Sequence, residues 1–484
     1  MLSSTKRFSL LFSFVTLLVS LFCGSARAQT ISTSTGTFAD GATWLIQVPS
    51  NWNGALMLYS HGYVEPGSAN PATNVGDPVT GAALLSQGVA LAGSSYATTG
   101  WAVQQALPDQ IATLDEFISL YGQPKVTVAW GHSLGGLITA GLIQNYPLRF
   151  NAAMPMCDVL AGGVGNWDEA LDSEVAFQTL IDPSVQVVNI APNPTANLES
   201  AEEYLAAAQA TPQGQARIAL VSALGDVPGW FAPGSPQPAA TDYATQELNQ
   251  YQWLSQTDFP FIFDLRAELE ARAGGNVSFN TGIDYAKQLA KSPDQAEVVA
   301  LYEAAGLSLS ADLAALNATT RISSLLSAQR YLERNVIFDG LIFVPVLTLH
   351  GTADGLGGPE NEQAYQQIVD TFGTGKFLRQ VYVNRAGHCS FTPAETLTLV
   401  SALFTRIESG QWPSLAPTTL NTEAEAQGPT TNIFPIDDVI TLTAPAFISY
   451  NPAVFPRPFN ILTAACDLAP NPNQCRDILF PNNH

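Results

Sequence analysis

Along residues 43–160 the apolar positions change spacing repeatedly, and each change marks an element. "TWLIQVP" (43–49) and "GALMLYSHGY" (54–63) read as strands, with Asn51-Trp52-Asn53-Gly54 as the turn between them. "GVALAGSSY" (88–96) is a third apolar run. In "ALPDQIATLDEFISLYG" (106–122) Ile111, Leu114, Phe117, Ile118 and Tyr121 share one helical face, and Gly122 is placed to end the helix. "KVTVAW" (125–130) is continuously apolar in character, as in a strand buried on both faces. "LGGLITAGLIQNYP" (134–147) predicts a helix closed by Pro147, and "FNAAMPMCDVL" (150–160) the next strand. Strands alternating with helices predict an α/β fold with a mainly parallel sheet flanked by helices.

The alternation stops at residue 161. Residues 161–337 are Ala-rich and mostly helical in pattern, as in "WDEALDSEVAFQTLI" and "AEVVALYEAAGL". The strand pattern returns at "VPVLTL" (344–349) and "FLRQVYVN" (377–384), and a helix follows from about Thr392 to Glu408. The expected organisation is a leader (1–28), a first core segment (29–160), a helical insertion (161–337), a second core segment (338–412) and a C-terminal extension (413–484). The extension is Pro- and Thr-rich and reads as strand-like rather than helical. Its "FISYNPAVFPRPF" (447–459) either packs on the core as an edge segment or grips a polymer through its aromatics; packing is the expectation.

The leader changes the picture of compartment. Lys6 and Arg7 precede "FSLLFSFVTLLVSLFCG", and "ARA" (26–28) is a small-x-small site, so a secretory signal cleaved after Ala28 is expected, with a secreted or periplasmic product. No later stretch is apolar and long enough to span a bilayer. Removing the leader removes Cys23 and leaves Cys157, Cys389, Cys466 and Cys475, an even number that suggests disulfides in an exported chain. Cys466 and Cys475 flank a Pro/Asn-rich turn and are paired on that ground, which leaves Cys157 and Cys389 for each other. Two inert buried thiols at 157 and 389 remain the alternative. The formal net charge of −22 opposes nucleic acid and anionic membrane as partners.

The candidate chemistry centres on Gly131-His132-Ser133-Leu134-Gly135, a G-x-S-x-G between a predicted strand and a predicted helix. A serine hydroxyl needs a base to act as a nucleophile. Of the five histidines, His388 in "RAGHCSF" follows the last core strand and completes the chain order Ser, acid, His. The acid that orients it is Asp354 in "HGTADGLGGPE", preferred to its rival Asp158 after the preceding core strand. There is no P-loop and no metal-type His/Cys spacing, and neither cofactor nor metal is expected.

Together "SHGY" (60–63), "GHSLGG" (131–136), "HGTADGLGGPE" (350–360) and "AGHCSF" (386–391) resemble the α/β-hydrolase superfamily over residues 40–160 and 340–410. The resemblance implies an α/β-hydrolase fold with the insertion as a cap over the active site. It also implies an oxyanion hole from the backbone N–H groups of Tyr63 and Leu134. Cys157 and Cys389 would lie on one rim of the sheet, where a disulfide would hold the His388 loop in register with Ser133. In the cap, Trp230, Phe231, Phe259, Phe261 and Phe263 either form an apolar pocket or serve as the cap's own core, the latter being the usual work of any one of them. The expected activity is cleavage of carboxylic esters, small or polymeric, through an acyl-enzyme. A peptidase on the same fold is the alternative, and a non-catalytic binding protein a more distant one. Oligomeric state is open.

Overall fold

The computed structural model describes residues 30–436 and 438–458. The leader with Cys23, and the proposed Cys466–Cys475 pair, lie outside the described residues.

A nine-stranded sheet runs in the order β1-β2-β4-β3-β5-β6-β7-β8-β11. Its strands are β1 (Ile31–Thr37), β2 (Thr43–Pro49), β3 (Ala55–Ser60), β4 (Ala90–Ser94), β5 (Val126–His132), β6 (Ala152–Met156), β7 (Val346–Ala353), β8 (Leu378–Ala386) and β11 (Phe447–Ile448). The strands from β4 across to β8 are parallel, while β1, β2 and β11 are antiparallel to their neighbours. The central strands carry side chains into two cores at once. Leu56, Leu58, Ala129 and Ala153 face the core built by α2 (Val103–Tyr121), α3 (Leu134–Asn145) and α13 (Glu360–Thr371). Met57, Tyr59, Val128, Trp130 and Met154 face the other, built by α1 (Pro78–Ser86), α14 (Pro393–Ser409) and α15 (Pro417–Ala426). Burial on both faces explains why these strands read as unbroken apolar runs.

The insertion between β6 and β7 contains α4 (Gly162–Leu180), α5 (Pro194–Gln209), α6 (Pro212–Leu224), α7 (Tyr243–Trp253), α8 (Arg266–Ala273), α9 (Tyr285–Leu289), α10 (Gln295–Ala305), α11 (Leu309–Ala318) and α12 (Leu326–Asn335). Its own core is centred on α6, where Ile218 through Leu224 are buried, and includes Phe177, Phe259 and Phe263. Two π-helical turns, Leu254–Asp258 and Phe261–Leu265, flank Pro260. Such turns change which side chains face the neighbouring layer, and Asp258 and Phe261 both reach the cavity described below.

Two elements lie outside the sequence reading and a third differs from it. The polar stretch ahead of residue 43 is a strand, β1, whose alternating Ser and Thr face solvent on an edge. The segment before β4 is the helix α1, opened by Asp77, whose carboxylate accepts from Thr80 N–H, with Pro78 in the first turn. The extension is partly helical, through α15, and also holds a two-stranded hairpin of β9 (Ile433–Ile436) and β10 (Val439–Leu442). Its last described residues pack inward: Phe447 and Phe455 are buried, and Arg457 is buried against the cap, donating to Asp172 Oδ2 and the Asp168 carbonyl, both at 2.8 Å. Among the described residues no single helix is long and apolar enough to cross a membrane.

Candidate active site

Ser133 occupies the single residue between β5 and α3, with φ 57° and ψ −127°. This is a strained conformation for a residue with a side chain, and such strain clusters at functional sites. Close packing enforces it. A Cβ at Gly131 would lie 2.5 Å from the Ser60 and Gly135 carbonyl oxygens, and a Cβ at Gly135 would lie 2.0 Å from Ser60 O. The glycines let α3 press its first turn against the end of β3, and the Ser133 N–H donates to Met156 O on β6 at 2.9 Å. The helix start adds a favourable field for negative charge near Ser133.

His388 and Asp354 come from the loops after β8 and β7. His388 Nδ1 lies 2.9 and 2.8 Å from the two carboxylate oxygens of Asp354. Asp354 is fully buried and its oxygens accept further N–H groups, from Leu356 (3.1 Å) and Gly357 (3.3 Å) at Oδ1 and from Cys389 (3.4 Å) at Oδ2. The carboxylate therefore fixes the tautomer with the proton on Nδ1. The opposite nitrogen, Nε2, has no hydrogen-bond partner among the described residues, and His388 and Ser133 line one cavity. Asp158, the rival acid, does not bond to His388; it lies fully buried nearby.

Among the described residues, the other three histidines have different partners. His132 Nδ1 is 3.1 Å from the Tyr59 hydroxyl, and burial lowers its pKa to about 4. His350 Nε2 donates to Gly357 O at 2.8 Å, and burial lowers its pKa to about 4 as well. His61 is buried and stacked on Tyr96.

The Gly62–Tyr63 segment passes directly over the serine: a Cβ at Gly62 would lie 3.2 Å from Ser133 Cβ. Leu134 opens α3, so its N–H has no partner within the helix. Both Tyr63 and Leu134 line the cavity.

Cys157 and Cys389 form a disulfide with a Cα–Cα distance of 5.1 Å. It ties the end of β6 to the residue after His388, and both cysteines sit at positive φ.

The cavity between core and cap holds about 860 Å³ of empty space, part of it open to solvent. Its apolar walls include Trp101, Trp167 and Phe261, and its polar walls Ser173, Glu169 and Asp258. Burial raises the Glu169 pKa to about 8, helped by the charge of Glu360. Burial, with the nearby Asp354 charge, holds the Asp258 carboxyl well above the usual carboxylate range. Of the five cap aromatics singled out in the sequence, Phe261 lines the cavity. Phe259 and Phe263 pack in the cap core, Phe231 packs edge-on against Trp253, and Trp230 sits with Ala353 and Ala386. Trp101, Trp167, Glu169 and Asp258 carried no signal in the sequence, because their approach to Ser133 is set by how the cap folds back over the sheet.

No family model matches the chain. It is 29% identical over 423 residues to the o-phthalyl amidase of Xanthobacter agilis, covering 81% of this chain and 90% of that protein. Among solved structures it is similar to feruloyl esterase B from Aspergillus oryzae (12% identity, TM-score 0.36, covering 80% of this chain and 82% of that one). It is also similar to proline iminopeptidase from Mycobacterium smegmatis (14% identity, TM-score 0.34, covering 82% and 100%). With a parallel core in the order β4-β3-β5-β6-β7-β8, a serine on the bend after β5 and a helical insertion after β6, the chain has the α/β-hydrolase fold.

Proposed function

We propose that this α/β-hydrolase is an exported serine hydrolase that cleaves carboxylic esters. The observation that carries the reading is the ordered set Ser133, Asp354–His388 and a cavity shared by Ser133 and His388. Ser133 Oγ attacks the acyl carbon while His388 Nε2 takes its proton. Asp354 stabilises the imidazolium through Nδ1–H. The Tyr63 and Leu134 N–H groups receive the oxyanion, each donor typically worth about 10²–10³ in rate. His388 returns the proton to the leaving oxygen, and water repeats the sequence on the acyl-enzyme. Trp101, Trp167 and Phe261 favour an aromatic or bulky apolar group beside the scissile bond. The Cys157–Cys389 disulfide supports export, because such a bond persists in oxidising compartments.

A second reading, amide cleavage, is favoured by the similarity to an o-phthalyl amidase. The same triad serves it, and the cap decides between them. The test is hydrolysis of matched aryl esters and aryl amides by the exported chain and by Ser133→Ala. Ester turnover lost in the variant supports the first reading. Amide turnover that exceeds the ester rate supports the second. Turnover that survives Ser133→Ala overturns both.

A further inference from the structure

Behind Asp354, away from the substrate cavity, three chain segments bring together polar atoms that have nothing to bond. Asp158 follows β6, His350 lies on β7 and Glu362 lies in the first turn of α13. All three are fully buried. Their candidate ligand atoms lie within 4.8 Å of one another, and His350 Nδ1 is 3.7 Å from Glu362 Oε1. Neither of those two atoms has a hydrogen-bond partner among the described residues. Asp158 Oδ1 and Oδ2 likewise have no hydrogen-bond partner of ordinary distance and angle among the described residues, although the backbone N–H groups of Leu160 and Asp158 act on that carboxyl.

We propose that Asp158, His350 and Glu362 form a buried binding site for a divalent transition-metal ion of the zinc type. The bonds around the trio are those a metal site needs. His350 Nε2–H donates to Gly357 O at 2.8 Å, which leaves the Nδ1 lone pair facing the cluster. Glu362 Oε2 accepts from Thr348 Oγ1 at 2.8 Å and from Gln380 Nε2, which fixes the carboxylate with Oε1 turned inward. Two ligands bound at about 2.1 Å in tetrahedral geometry stand roughly 3.4 Å apart, close to the 3.7 Å seen between His350 and Glu362. One imidazole nitrogen and two carboxylates suit zinc-like ions better than calcium or magnesium, which take oxygen alone. The charges balance as well, since two carboxylates and a neutral histidine match a divalent cation.

The ion would join the strand end next to the Cys157–Cys389 disulfide to the strand that carries the Asp354 loop. His350 Nε2 lies 3.8 Å from Asp354 Oδ2, so the site backs the acid that orients His388. The role is structural and independent of the reaction assigned to Ser133. Because all three ligands are fully buried, the ion enters as the chain folds.

The test is the metal content of the untagged full chain, produced in zinc-supplemented medium and purified without chelator, by elemental mass spectrometry. About one zinc ion or comparable transition metal per chain is expected, falling below about 0.1 in both Asp158→Asn and Glu362→Gln. These isosteric variants preserve shape, and the wild-type count stands even if one of them fails to fold. A melting temperature that is higher for zinc-grown than for chelator-grown wild type, with no such gap in Glu362→Gln, is the second readout. A wild-type content below about 0.1 overturns the proposal and assigns the cluster to a shared proton or a buried water. Equal metal in wild type and both variants overturns it too, since the ion is then held elsewhere.

Discussion

Replacing Asp354 by Asn changes little volume and removes one charge, yet four N–H groups surround the carboxylate, and the three from the backbone cannot adapt. Leu356 and Gly357 donate to Oδ1, Cys389 donates to Oδ2, and His388 Nδ1 lies within 2.9 Å of both. An asparagine supplies one acceptor and one donor. If its NH₂ takes the Oδ2 place, it faces the Cys389 and His388 donors, and the imidazole must move its proton to Nε2. The base is then lost. If the NH₂ takes the Oδ1 place, it meets two backbone donors held rigidly by the Gly-rich loop. The first arrangement costs least, because a proton moves more easily than a backbone. The expected result is a fall in kcat of about 10³–10⁴, roughly 4–5.5 kcal/mol of transition-state stabilisation, with KM changed less than about threefold. Initial rates on an aryl ester measure it, beside a melting curve that shows the variant folded. A folded Asp354→Asn that keeps more than about a tenth of wild-type kcat would refute the assignment of Asp354 as the orienting acid.

Three further outcomes follow from the packing and the burial. The Cys157–Cys389 bond closes a sequence separation of 232 residues, so the double alanine variant loses up to roughly 5 kcal/mol of stability in the chain-entropy picture. Guanidinium unfolding with and without reductant reads that loss, and two free thiols in a non-reduced digest would end the argument. Gly135→Ala puts a methyl 2.0 Å from Ser60 O, and a backbone oxygen cannot step aside. The variant is expected to lose both soluble yield and activity, and normal levels of each would show that the elbow is looser than drawn. Burial raises the folded-state pKa of Glu169 to about 8 and of Glu297 to about 9, each from 4.5. Raised acids hold protons in the folded state that the unfolded chain has released, so their stabilisation is full below about pH 4.5 and is lost as pH climbs through 8–9. His132 and His350, lowered to about 4 from 6.5, act in the opposite sense only below about pH 6.5. The melting temperature should therefore fall from pH 6.5 to pH 9, and a flat or rising profile in that window would contradict it.

What the sequence made legible was local or repeated along a strand. The central strands announced themselves because burial on both faces leaves unbroken apolar runs, as at Val126–His132. Ser133 was visible because a tight bend between strand and helix writes its glycines beside it, at 131 and 135. What stayed hidden was set by partners distant in the chain. β1 is polar because it lies on an edge, with nothing to distinguish its Ser and Thr from a loop until β2 pairs with it. α1 did carry a start signal, Asp77-Pro78, but its short run of small residues has no clear apolar face. α15 is rich in Thr and Glu, and it is held by Leu420 and Ala424 against a core made elsewhere. The cavity walls show the same rule: Trp167 and Asp258 are 91 positions apart in the chain and meet only because α4 and the π-helical turn after α7 face one opening. The Asp158–His350–Glu362 cluster is the extreme case. Metal motifs are recognised by ligands a few residues apart on one turn or one loop, whereas these three sit just after one strand, within another and on a helix. Strand order, not spacing, brings them together, since β6 and β7 are neighbours in the sheet although the whole cap separates them in sequence. An insertion of that size leaves the candidate catalytic motifs readable, because each is contained in its own short loop, and hides any cluster whose members lie on both sides of it.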